Sequence, residues 1–174
     1  MFNFRPIILL LFFSHVLCAQ ADIFELARRG SVQEVQAVVK ETPSVLNTKD
    51  QRGSTPLVLA CYYNNIEVVS YLIQKVDDIN GSTKDGSPLM AAAVKGYNSI
   101  AQLLLDAGAD PMIEDMNKTT ALHYAAMFKN HELAQLLLDA GADPTIKIML
   151  GNRPRTTSLY KTTNVCIKSL KLNK

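Results

Sequence analysis

Catalytic raw material is scarce in this chain. Of its three histidines only His123 and His131 lie beyond the N-terminal stretch, and neither has a metal-type partner three or four places on that the surrounding pattern leaves unexplained. Three cysteines, Cys18, Cys61 and Cys166, are too few and too scattered for a disulfide framework. No glycine-rich loop has the spacing that cradles a phosphate, and Gly108-Ala109-Asp110 reads as a helix terminator. The aspartates at 50, 110, 115 and 143 stand at turn and cap positions. What is missing is a catalytic constellation, so the sequence points away from an enzyme, a metal site or a cofactor and towards binding.

Long apolar runs are missing too, apart from one at the start. Ile7–Leu17 follows Arg5 and precedes Ala19-Gln20-Ala21, the layout of a secretory signal with a small-residue cleavage site. The run is far short of the roughly 20 residues that span a bilayer. Val16 and Leu17 ahead of Cys18 are not the small residues that lipoprotein processing prefers. The expectation is removal of residues 1–21, a mature chain starting at Asp22, and a periplasmic or secreted protein that meets the membrane only during export. Acidic residues are absent after Asp143. Residues 22–147 hold 11 Lys/Arg against 16 Asp/Glu, whereas residues 148–174 hold six Lys/Arg and no acid. A mildly acidic body argues against nucleic acid as a partner.

What is abundant is repetition. AQLLLDAGADP occurs at Ala101–Pro111 and again at Ala134–Pro144, 33 residues on. An identical echo at that period marks a repeat protein. Within each copy the leucines 103–105 and 136–138 make the apolar side of a helix, Gly108 and Gly141 serve as left-handed caps, and the Asp-Pro pair forces the chain extended. Upstream lie TTALHYAAMF (Thr119–Phe128), GSPLMAAAVKG (Gly86–Gly96) and DQRGSTPLVLACYYNNIEVVSYLI (Asp50–Ile73). These share a hydroxyl residue, then Pro or Ala, Leu, and a pair of small residues: Ala60/Cys61, Ala92/Ala93 and Ala125/Ala126.

The pattern resembles the ankyrin repeat, D-x-x-G-x-T-P-L-H-x-A-A followed by a second helix and L-L-x-x-G-A-D. The resemblance covers Asp50 to about Thr145 and, more weakly, reaches back to Asp22. It implies an all-α solenoid of stacked helix-turn-helix units joined by hairpin loops. Residues 22–49 form an N-terminal capping repeat, in which Asp22 caps a helix over Ile23–Arg29 and Ser31 with Glu34 has the form of a capping box. Residues 50–147 form three repeats whose ladders (Val68, Val69, Leu72; Ile100, Leu103, Leu104; Leu133, Leu136, Leu137) face inward. The hairpin before Pro88 is one residue short, with Asp85-Gly86 as a tighter turn. His123 matches the histidine of the family pattern, whose usual role is hydrogen bonding between turns.

Beyond Thr145 the pattern falters. Gly151 and Pro154 are in register, but Ile148 stands where Asp is expected and Arg155 where Leu is. One reading is a disordered basic tail over 148–174. Another is a further repeat truncated by a shift of reading frame near Lys147, because KIMLGNRPRTT can be encoded so that the shifted frame reads DNAGKSAADY. A third use of the tail is as a tether to a membrane surface.

The resemblance also implies where a protein partner sits, along the turn tips and the exposed side of the first helices. Carried over position by position, that names Gln51, Arg52, Ser54, Tyr62, Tyr63, Val94, Lys95, Met116, Lys118, Met127 and Phe128. The aromatic and methionine side chains in this set are the kind that dominate interface energetics, or else they fill gaps between repeats. Two roles follow: an exported adaptor, inhibitor or helper of another protein, or a secreted effector acting on host proteins.

Overall fold

A computed structural model of the chain describes residues 22–81, 83 and 86–145, together with the backbone of 149–150 and 153–154. The signal-like stretch 1–21 lies outside the described residues. So does nearly all of the tail on which the disorder and frame-shift readings bear.

The described chain is four helix pairs in succession. Helices α1 (Ile23–Arg29) and α2 (Val32–Glu41) form the first, and a 3₁₀ turn, Pro43–Asn47, leads out of it. Then come α3 (Pro56–Tyr62) with α4 (Ile66–Leu72), α5 (Pro88–Lys95) with α6 (Asn98–Asp106), and α7 (Ala121–Met127) with α8 (His131–Asp139). First helices pack on first helices in the order α1, α3, α5, α7, and second helices on second helices in the order α2, α4, α6, α8. Past the last pair, β1 (Met149–Leu150) pairs antiparallel with β2 (Arg153–Pro154).

Local chemistry sets the helix starts. The Asp22 carboxylate accepts from Phe24 N–H at 2.9 Å, and the Ser31 hydroxyl and Glu34 carboxylate close a reciprocal capping box. Hydrogen bonds from the Ser31 N–H and hydroxyl hold the Glu34 carboxyl below its ordinary range. Thr55 and Ser87 cap α3 and α5, each followed by a proline at the first helical position, where a missing N–H costs nothing.

The first helices α3, α5 and α7 end the same way. Asn64, Gly96 and Lys129 take the left-handed conformation, with φ of 61°, 72° and 56°. The next residue then donates its N–H back across the turn: Asn65 to Ala60 O at 3.0 Å, Tyr97 to Ala92 O at 3.0 Å, Asn130 to Ala125 O at 2.8 Å. Asn64 tolerates this conformation through its short polar side chain, while Lys129 takes it in the turn closed by the Asn130 N–H bond to Ala125 O.

The core is one continuous cluster running through all four pairs. Ala60, Cys61, Ala92, Ala93, Ala125 and Ala126 are fully buried or nearly so, and their small side chains let the first helices approach. Val68, Val69 and Leu72 are buried as expected, but Leu103 and Leu136 are only half-buried. Consecutive helical residues are turned by about 100°, so three leucines in a row cannot share one face, and Ala101 and Ala134 take the inward places instead. Each fully buried Leu or Val contributes about 1.5–3 kcal/mol relative to exposure. Cys61 is a free thiol in this core, and burial pushes its pKa far above the ordinary range.

Polar side chains tie neighbouring repeats together. Asn65 donates to Gly30 O at 2.8 Å, Asn130 to Asn98 Oδ1 at 2.7 Å, and Asn98 to Glu132 Oε2 at 2.7 Å. A second ladder joins the loops after the second helices. Asp77 N–H donates to Asn47 Oδ1 at 3.4 Å and Asp110 N–H to Asn80 Oδ1 at 2.8 Å. At the last junction Asp143 N–H meets Met112 Sδ at 3.2 Å, a thioether where the earlier junctions offer an amide oxygen.

The short hairpin differs in detail from the expected Asp85-Gly86 turn. Thr83 and Gly86 exchange both backbone hydrogen bonds, at 2.9 and 3.1 Å, so Gly86 is a paired residue and not a corner. Its φ is 110°, and a Cβ there would run into the Met90 side chain. Gly53, at φ 85°, has open space around the same vector. Gly53→Ala is therefore expected to cost only the backbone strain, about 1 kcal/mol, and Gly86→Ala roughly 2–4 kcal/mol, compared by urea denaturation of the two variants. At the weak junction, Met112→Asn is expected to raise stability by about 0.5–1.5 kcal/mol and to slow exchange of the Asp143 amide, with an unchanged exchange rate as the contrary result.

Candidate protein-binding groove

The first helices and hairpin tips make one side of the stack. Its N-terminal half holds a groove of about 950 Å³ bounded by α1, α3, α5 and the loop over residues 49–54. Gln51, Arg52, Ser54, Tyr62, Tyr63 and Val94 all line it, so six positions named from the sequence converge on one feature. Phe24, Arg28, Lys49 and Val58 line it as well and were not anticipated. Their signal was available: α1 stacks on α3 as α3 does on α5, so the capping helix extends the same surface.

The hairpin tip is held from below by Asp50. Its carboxylate accepts from Arg52 N–H at 2.9 Å and Ser54 N–H at 2.8 Å, and its other oxygen faces the Arg28 guanidinium at 3.4 Å. Ser54 is consequently 7% exposed, part of the tip's framework more than of its surface. The last repeat repeats the device. Asp115 accepts from Asn117 N–H at 2.7 Å, Thr119 N–H at 2.9 Å and Tyr124 O–H at 2.7 Å. Lys118 there has φ 60° where Gly53 stands two repeats earlier, and its ammonium pairs with Glu114 at 2.8 Å, which raises the Lys118 pKa.

Two tyrosines form the floor edge of the groove. Tyr62 and Tyr63 pack edge to face with centroids 5.3 Å apart, and Tyr63 remains 47% exposed. A cation stands over each ring: Lys95 Nζ 4.4 Å from the Tyr62 centroid and the Arg28 guanidinium 5.9 Å from that of Tyr63. Arg28 is also bridged to Glu25 at 3.3 Å, which leaves its charge largely balanced. Further along the row, Met127 and Phe128 end α7 with Phe128 55% exposed, and Met116 projects from the last tip at 74% exposure. These last residues and Lys118 are not part of the groove wall.

The remaining ring nitrogens and thiol are structural. His123 is buried, with its Nδ1 accepting from Thr120 N–H at 3.1 Å and lying 2.8 Å from the Thr120 hydroxyl. His131 opens α8 at the surface. Among the described residues no three His, Cys, Asp or Glu side chains group to hold a metal, and no helix is long and apolar enough to cross a membrane.

Comparison with known proteins agrees with this geometry. A family model described as ankyrin repeats in three copies matches residues 23–115, and a second, ankyrin repeats in many copies, matches 89–147. The chain belongs to the ankyrin repeat family. The ankyrin repeat and SAM domain-containing protein 6 of Rattus norvegicus is 33% identical over 102 residues, which are 58% of this chain and 12% of that protein. The ankyrin repeat and SOCS box protein 3 of Homo sapiens is 36% identical over 100 residues, 55% of this chain and 19% of that protein. Dauer abnormal formation protein 25 of Caenorhabditis elegans is 30% identical over 116 residues, 65% of this chain and 29% of its own length. The chain thus spans a minor part of each of these relatives, and the likeness lies in the ankyrin array. Ankyrin arrays are protein-binding modules, generally without catalytic activity, and this chain carries such a module.

Proposed function

We propose that the protein binds one protein partner through the concave groove, with the exposed aromatic row of the first helices as its anchor, and that it does so after export, in a periplasmic or secreted location. The observation that carries the binding surface is the convergence of Gln51, Arg52, Tyr62, Tyr63 and Val94 on one groove in which both tyrosine rings stay half-exposed. Rings held by a rigid helix end lose little entropy on contact, and such residues dominate interface hot spots. Ser54 belongs to the scaffold of this site, while Met116, Lys118, Met127 and Phe128 extend it along the array.

Export rests on the sequence alone, the apolar run before Ala19-Gln20-Ala21. The free, buried Cys61 is compatible with an oxidising compartment because packing keeps it from reagents. Whether the partner is a neighbour in that compartment or a host protein is decided by where the protein is found.

Tyr63→Ala and Phe128→Ala are each expected to weaken a captured partner by about 1–3 kcal/mol with unchanged circular dichroism. Loss of the fold together with binding would return these rings to a packing role. N-terminal sequencing of the native soluble protein is expected to begin at Asp22, and an intact Met1 on that protein would end the export reading.

A further inference from the structure

The acidic balance of residues 22–147 hides a partition of charge between the two sides of the array. Among the described residues, the second helices and the loops that follow them carry two lysines, Lys40 and Lys75, against ten carboxylates. The first helices with their caps, hairpins and end turns carry seven Lys/Arg against five carboxylates.

Those five carboxylates are already engaged. Asp22 caps α1, Asp50 and Asp115 close hairpin tips, Glu25 pairs with Arg28 and Arg29, and Glu114 pairs with Lys118. Lys49, Arg52 and Lys95 have no carboxylate at ion-pair distance among the described residues. Lys49 and Arg52 line the groove, and Lys95 stands at its edge over the Tyr62 ring.

Resting on the groove as the binding site, we infer that its occupant is an acidic peptide segment carrying an apolar or aromatic side chain. The apolar side chain lies against Tyr62 and Tyr63, and carboxylates flanking it meet Arg52, Lys49 and Lys95. Complementary charge of this kind selects the partner and speeds encounter, and it weakens with salt. A polynucleotide fits less well. The cations occupy a short stretch, and a long polyanion leaving the groove meets a body whose other face is strongly acidic.

The test selects a random-peptide display library on the full-length chain. The two comparison proteins are the double variant Arg52→Glu/Lys95→Glu and Tyr63→Ala, each checked for an unchanged circular dichroism spectrum. All three keep the basic tail, so differences among them report the groove. Enriched peptides are expected to be rich in Asp and Glu around an aromatic or aliphatic residue, to lose at least about tenfold in affinity on the double variant, and to weaken as sodium chloride is raised. Peptides that depend on Tyr63 but are neutral or basic, or indifferent to the charge reversal, overturn this inference and leave the groove standing. Peptides indifferent to all three substitutions, or no enrichment at all, overturn both. A single-stranded oligonucleotide that displaces the peptides and depends on Arg52 and Lys95 overturns the peptide class.

Discussion

A pair of short helices has more apolar surface than it can cover by folding on itself, and the structure follows from the neighbour that covers it being another pair of the same shape. The spacing of the stack is set at the first helices. Ala60 and Cys61, Ala92 and Ala93, Ala125 and Ala126 sit where backbones approach, and a larger side chain at any of them would wedge the units apart. With that distance fixed, Val69 and Leu72, Ile100 and Leu104, Leu133 and Leu137 meet between the second helices and fill the remaining space. Stability in such an array is a sum of units and junctions, so a weakness stays local. The Met112 thioether at the last loop junction is one such weakness, in a place where the two earlier junctions have asparagine.

The same stacking separates the surface into two sides with different obligations. The second-helix side has only to stay in solution, and among its described residues ten carboxylates against two lysines keep it charged and mutually repulsive. On the first-helix side every carboxylate among the described residues is engaged in making structure, as a cap, a hairpin brace or an ion pair. What remains for a partner is cationic and aromatic. This follows from the repeat itself, since the hairpin tips need aspartate at 50 and 115 to hold their N–H groups.

Much of this was legible because it repeats or is local. The 33-residue echo, the Asp22 and Ser31 caps, the small pairs and the positive-φ glycines 108 and 141 are properties of a few adjacent residues or of a fixed period. What the sequence concealed depends on neighbours a repeat away. Arg28 joins the groove only because α1 lies beside α3, and Asp50 of the next unit adds a second carboxylate to the Glu25 it already meets in its own helix. Ser54 looks like a tip residue in the sequence, yet its N–H is what the Asp50 carboxylate holds, so it is drawn inward. The three-leucine runs read as a uniform apolar side until the helix rotation is counted, when Leu103 and Leu136 turn partly outward.

The order of residues at the ends of α3, α5 and α7 shows how the fold positions its function. The small pair comes first, then two residues in the last turn, then one residue in the left-handed conformation that reverses the chain. The small pair is fixed by helix approach, and the left-handed turn by the N–H returned to the small residue's carbonyl from Asn65, Tyr97 and Asn130. The two residues between them are constrained by neither, and they are Tyr62-Tyr63, Val94-Lys95 and Met127-Phe128 in successive repeats. They are held in place on both sides while their own chemistry is free to change. A rigid frame around unconstrained positions is what a recognition surface requires, because contacts made by pre-ordered side chains lose less entropy on binding. The row of exposed rings and cations on this array therefore occupies a place where the repeat can vary without cost to its stacking.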